Sequence, residues 1–166
     1  MKPRIESPVM VPGVLSALQQ LSAASNQAGI PEATGLLVIL RASQINGCSV
    51  CVDMHSRELR ALGESDARIL TVAAWRDTPY FTDAERAALA LAEASTRIAD
   101  RPDPVPDEVW NEAARHFTER ELAALTLSIA LTNVWNRLNI TTRQVAGEWL
   151  KSAAAKEWLE NQAVAQ

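Results

Sequence analysis

Two four-residue patterns constrain this chain more than any other feature: Thr82-Asp83-Ala84-Glu85 and Thr118-Glu119-Arg120-Glu121, each just ahead of a run rich in Ala and Leu. In such a box the Thr hydroxyl accepts the amide three residues on. The Glu carboxylate reaches back to the Thr amide, so two donors that a helix start leaves open are satisfied reciprocally. Phe117 and Leu122 bracket the second box as a hydrophobic staple. Strand signals are scarce by comparison. Glycine is rare, and no Asn-Gly or Asp-Gly turn separates alternating apolar runs; Asn46-Gly47 is followed by helical spacing. The predicted fold class is all-α, a helical bundle.

The remaining helices follow from periodicity and punctuation. Val14, Leu15, Leu18 and Leu21 share one face of a predicted helix over about 11–26, which Gly29 ends. Pro31-Glu32 reads as a first turn, since Pro needs no donor there and an acid suits the dipole. The helix it opens runs through Leu36-Leu37-Val38-Ile39-Leu40 to about Asn46, apolar enough to be deeply buried. A third helix starts near Cys48 and ends at Gly63, and a fourth spans about Ser65 to Trp75. The first capping box opens a helix to about Ala99. Pro102, Pro104 and Pro106 then forbid one, and a short helix follows to about His116. The second box opens a long central helix to about Leu138, and an amphipathic piece covers about Ala146 to Leu159. No repeat or low-complexity tract divides the chain, so 1–166 reads as a single domain.

With 166 residues, 48% hydrophobic and 22% charged, the chain has enough apolar material for one core without staples. Its net charge of −4 and the lack of a Lys/Arg run give it no general attraction for nucleic acid or an anionic membrane. The N-terminus is polar, and the longest uncharged run, Leu122 to Asn136, is too short to span a bilayer. These features predict a soluble cytoplasmic protein. The two cysteines lie three apart, which excludes a disulfide framework and leaves a redox pair, a metal site or chance.

Cys48, Cys51 and His55 are spaced by three and then four, which puts them on one helical stripe. Cys48 sits at the helix start, where open amides and the dipole favour an anion. Two thiols one turn apart can close into a disulfide, and a His one turn on can move protons for either sulfur. A buried Cys is otherwise a small hydrophobe, but that reading does not account for the pair and the His in register. A structural zinc needs four ligands and this stripe supplies three; His116 lies far along the chain. Haem attachment needs a His directly after the second Cys, where Val52 stands. No metal and no bound cofactor is expected.

The stretch Leu40-Arg41-Ala42-Ser43-Gln44-Ile45-Asn46-Gly47-Cys48, with Cys51 and Asp53-Met54-His55, resembles the alkylhydroperoxidase D-like branch of the carboxymuconolactone decarboxylase family. Ala73 to Pro79, Thr82 to Leu91 and Asn133 to Leu138 resemble the same family, so the likeness covers about residues 30–140. It implies an all-helical bundle assembled as a homo-oligomer, a trimer or hexamer. It also implies a peroxidase in which Cys51 attacks the hydroperoxide, Cys48 resolves the sulfenic acid into a disulfide, His55 belongs to the proton relay, and an external thiol reductant or carrier protein resets the pair. The helix dipole alone would have favoured Cys48 as the thiolate.

One position departs from the family pattern. Its peroxidases carry a Glu twelve residues before the first cysteine, and here that residue is Leu36. Glu32, one turn earlier on the same face, is a candidate replacement; the plainer reading makes it a first-turn acid favouring the dipole. Two further readings therefore stand beside the peroxidase: a redox sensor or disulfide exchanger without efficient turnover, and a decarboxylase-like or structural member. The cysteine pair argues against the last. Among other residues, Asp53 and Met54 suit packing or surface, and His116 a dipole partner. Trp75, Trp135 and Tyr80 are core or pocket aromatics. Asn133, Asn136 and Arg137 point to an internal hydrogen-bond network or a subunit contact.

Overall fold

The computed structural model describes residues 1–100 and 102–151. Among them the chain forms α1 (Val14–Asn26), α2 (Glu32–Asn46), α3 (Ser49–Ala61), α4 (Asp66–Thr71), α5 (Asp83–Thr96), α6 (Asp107–Ala114) and α7 (Glu119–Thr142), with short 3-10 turns and no strand. The all-helical expectation holds. Both capping boxes are formed: Thr82 and Thr118 accept the amides of Glu85 and Glu121, and both carboxylates return to the Thr amides.

One element differs from the sequence reading, and another is only partly described. The fourth helix gives way after Thr71 to a 3-10 stretch, Val72–Asp77, with Ala74 off helical geometry. Here the buried Trp75 ring is clasped by Arg76 and Arg86, whose guanidinium carbons lie 4.0 and 5.3 Å from its centre. Of the helix expected over about 146–159, residues 146–151 form a turn and a 3-10 stretch at Glu148–Lys151, and 152–159 lie outside the described residues.

Helix α2 is the hub and packs against α3, α5 and α7. Its apolar run serves two clusters. Val38 joins Ala88, Leu91, Phe117, Leu125 and Ile129, while Leu37 and Leu40 join Leu59, Val72, Trp75 and Leu89. Three of these α2 side chains are wholly buried, as their near-continuous hydrophobicity predicted. Leu36 and Ile39, on the remaining face, line a cleft instead.

Polar groups buried with α2 find partners. Glu93 of α5 is 7% exposed and accepts from Arg41 at 2.7 Å, Arg76 at 2.6 Å and Trp75 Nε1 at 3.1 Å. Burial pushes its carboxyl up, and these hydrogen bonds outweigh that, holding it below the ordinary carboxylate value. At the other end of α2, Asn46 Nδ2 donates to Asn133 Oδ1 at 3.0 Å and to Asn136 Oδ1 at 2.8 Å. Asn136 in turn donates to Ser43 Oγ at 3.1 Å. The internal network expected of Asn133 and Asn136 is present, and Arg137 joins it by donating to Asn133.

Candidate active site

The site begins at a corner. α2 ends because Gly47 adopts a left-handed φ of 73°, a conformation that costs a residue without Cβ little. The amide of Cys48 closes back on Ser43 O at 3.0 Å. Cys48 is thereby delivered in extended geometry as the N-cap of α3, and its sulfur accepts the amide of Cys51 at 3.3 Å. A cysteine thus occupies a position usually held by Ser, Thr, Asp or Asn. Cys48 and Cys51 are joined as a disulfide, with Cα atoms 5.4 Å apart.

The two sulfurs face different surroundings. Cys51 lines a cleft of about 1150 Å³ bounded by α1, α2, α3 and α7 and by the chain near Gln144 to Trp149. Cys48 is not among its lining residues. Both cysteines are almost fully buried, so access to Cys51 runs through the cleft. His55 lines the same cleft one turn beyond Cys51, and its Nδ1 lies 2.7 Å from Glu58 Oε2. With an ionised carboxylate as acceptor, Nδ1 carries the hydrogen, which leaves Nε2 to exchange a proton. From α7, Asn139 Nδ2 approaches Cys51 Sγ at 3.5 Å.

Cys48 and Cys51 are joined, and His55, one turn on along α3, shares the cleft with Cys51. Glu32 also borders the cleft, but it is exposed and makes no hydrogen bond or ion pair with His55; the carboxylate paired with the imidazole is Glu58. Leu36 lines the cleft between them in sequence. Sequence reasoning missed Glu58 and Asn139. Glu58 stands three residues after His55, the helical spacing of a side-chain pair. Asn139 continues the three-residue interval of Asn133 and Asn136 along α7.

The other candidates are placed as follows. Met54 and Trp135 line the cleft, and Asp53 accepts from Arg57 and from Trp149 Nε1, each at 3.0 Å. Tyr80 is exposed, and Trp75 is core. His116 is exposed near the end of α6 and pairs with Glu112 at 3.3 Å, remote in the chain from the thiols. Among the described residues no cluster of His, Cys, Asp and Glu could hold a metal ion, and no helix is long and apolar enough to cross a membrane.

The structure is an all-helical bundle with a Cys-x-x-Cys disulfide at a helix start, a cleft over the second sulfur and a His paired with a carboxylate on the cleft wall. The model of the carboxymuconolactone decarboxylase family matches residues 12–94. The chain is 33% identical over 140 residues to the uncharacterized protein YdfG of Bacillus subtilis, spanning 84% of this chain and 94% of YdfG. It is also similar to the crystal structure of ATU0492 from Agrobacterium tumefaciens, a protein of unknown function provisionally described as the antioxidant defence protein AhpD. That likeness has a TM-score of 0.81 at 34% identity and covers 87% of this chain and 98% of the other. The debrominase Bmp8 shares the fold, with a TM-score of 0.73 at 21% identity over 92% of this chain and 78% of its own. The chain belongs to the carboxymuconolactone decarboxylase family and has the alkylhydroperoxidase D-like fold.

Proposed function

We propose that the protein is a thiol-dependent peroxidase acting on an organic hydroperoxide. The observation that carries this reading is the asymmetry of the pair: Cys51 lines the cleft beside His55, and Cys48 does not. In the reduced protein His55 Nε2 takes the Cys51 proton. The thiolate attacks the terminal peroxide oxygen, the O–O bond breaks, and the departing alkoxide takes the proton back from His55 and leaves as the alcohol. Cys51 is then a sulfenic acid. The Cys48 thiolate attacks its sulfur, hydroxide leaves and is protonated to water, and the disulfide forms. An external dithiol, as reductant or carrier protein, supplies two electrons and two protons to restore both thiols.

Glu58 supplies the charge that the family pattern assigns to a Glu at the position of Leu36. It holds His55 from its own helix rather than from α2. Glu32 is the weaker candidate for that task, since it makes no hydrogen bond or ion pair with the imidazole.

The apolar Leu36 favours a second reading, a disulfide exchanger oxidised only once by peroxide. Steady-state consumption of cumene hydroperoxide with dithiothreitol separates the two. Many turnovers that Cys51→Ser abolishes support the peroxidase; one equivalent followed by silence supports the exchanger. Cys48→Ser should leave a single oxidation of Cys51 that a sulfenic-acid trap captures. Capture on Cys48 in the converse variant, with none on Cys51, would reverse the assignment.

Homo-oligomerisation belongs to the same proposal. It rests on the family resemblance, and the exposed apolar side chains Leu15, Leu21, Leu70, Val134 and Ile140, each more than two-fifths exposed, are surfaces a partner copy could cover. Sedimentation equilibrium should give a multiple of the chain mass, and a monomer would contradict it.

A further inference from the structure

Asn139 is a buried carboxamide near the end of α7, 88 residues from Cys51 in sequence. Its Nδ2 lies 3.5 Å from the Cys51 sulfur. A disulfide sulfur can only accept a hydrogen bond, so the N–H end of the amide is the end that belongs there. Burial makes the arrangement matter. A thiolate formed in this nearly closed position loses water, and desolvation alone would hold the thiol protonated. Cys51 is the third residue of α3, within the first turn whose N-cap is Cys48, so a donor from α7 adds to whatever the helix start supplies.

Asn139 is not an isolated contact. Asn133, Asn136 and Asn139 recur every three residues and lie along one stripe of α7. The first two hold Asn46 and Ser43, immediately ahead of the Cys48 corner. The third reaches the sulfur itself. One helix face therefore holds both the side chains just ahead of the cysteine pair and the atom that reacts.

We propose that Asn139 is a catalytic residue: its side-chain N–H hydrogen-bonds the Cys51 sulfur and stabilises the thiolate. The proposal rests on the peroxidase reading for its catalytic meaning, while its physical content, a donor to the Cys51 anion, is measurable without peroxide. On deprotonation the sulfur becomes a charged acceptor and the N–H bond strengthens. The proton passes to His55 or to solvent, and Asn139 itself gains and loses none.

The test uses the reduced full-length chain carrying Cys48→Ser, in which the Ser hydroxyl keeps the N-cap and Cys51 is the one remaining thiol. Thiolate absorbance at 240 nm is followed against pH, with and without Asn139→Leu or Asn139→Asp. Leu is close in size and has no donor, and Asp has the same shape but only acceptors at neutral pH. On the rising limb of the titration, Asn139→Leu should lower the thiolate fraction roughly tenfold at fixed pH, the factor that about 1.4 kcal/mol of lost anion stabilisation corresponds to. Asn139→Asp should lower it at least as much. The plateau at high pH should be unchanged. A purely structural role would not shift the midpoint selectively.

Superimposable titrations of the Asp variant and its parent overturn the proposal, whether or not the Leu variant folds. A midpoint raised in the uncharged Asn139→Leu variant supports it, since Asp would also repel the thiolate by charge, and that support stands even if the disulfide-competent protein consumes only one equivalent of peroxide. That second result would sink the peroxidase reading and leave the hydrogen bond standing.

Discussion

His55 and Glu58, three residues apart on α3, form a 2.7 Å contact between imidazole Nδ1 and carboxylate Oε2 at the wall of the cleft that Cys51 lines. The pair is local to one turn of α3 and needs no partner from α2. Orientation and charge are separable in it. Glu58→Gln keeps an acceptor for Nδ1–H and removes the carboxylate charge. Peroxidase kcat/KM should fall about tenfold in Glu58→Gln, and by about 10²- to 10⁴-fold in His55→Ala, where the proton acceptor is gone. Equal activity of Glu58→Gln and the parent would show that the carboxylate charge has no part in the relay.

Glu93 should be costly to neutralise. Its carboxylate sits among Arg41, Arg76 and Trp75, with Arg41 and Glu93 both largely buried and Arg76 half exposed. Glu93→Gln leaves the Arg41 charge without its counterpart. Discounted for the exposed Arg76, the loss should be about 2–4 kcal/mol, read as a lower urea midpoint at unchanged slope. A change below about 0.5 kcal/mol would mean that water replaces the carboxylate without penalty.

Acid should unfold the protein through the same group and through Glu85. For each, burial pushes the carboxyl up, but hydrogen bonds more than reverse it: from Arg76, Arg41 and Trp75 for Glu93, from Arg68 and Thr82 for Glu85. Both therefore titrate below the ordinary value of 4.5 in the folded chain. The unfolded chain binds these protons at higher pH than the folded one, so this stabilisation is complete above 4.5 and is lost as pH falls through the depressed folded values. Thermal midpoints should fall steeply below about pH 4.5, and less steeply in Glu93→Gln. Parallel curves for the two proteins in that range would contradict this account.

Asn136 should act as a structural joint between α7 and the end of α2. It is fully buried, accepts from Asn46 and donates to Ser43. Asn136→Ala strands the Ser43 hydroxyl and leaves Asn46 only Asn133. About 2–3 kcal/mol of stability should go, with a thermal midpoint lower by roughly 5–10 °C. If scanning calorimetry finds the midpoint unmoved, a water must replace the amide and the network is not a joint.

Most of the bundle was legible in the sequence because its helix starts are local events. A Thr hydroxyl and a Glu carboxylate three residues away find the same two amides whatever surrounds them, so both capping boxes formed as read. The Cys48, Cys51 and His55 stripe was legible for the same reason, since one helix of ordinary geometry aligns them. The break after Thr71 was not, because it depends on where Trp75 packs and on two arginines that meet its ring.

The sequence by itself thus determined the helices, the cysteine pair and the imidazole beside it, all products of spacing along one chain segment. Tertiary structure alone decided which sulfur meets the cleft, that Glu32 stands apart from His55, and that Asn139 arrives at Cys51 from 88 residues away. Those facts depend on how α2, α3 and α7 pack. Packing is set by the shapes of many side chains at once, and no local pattern encodes it.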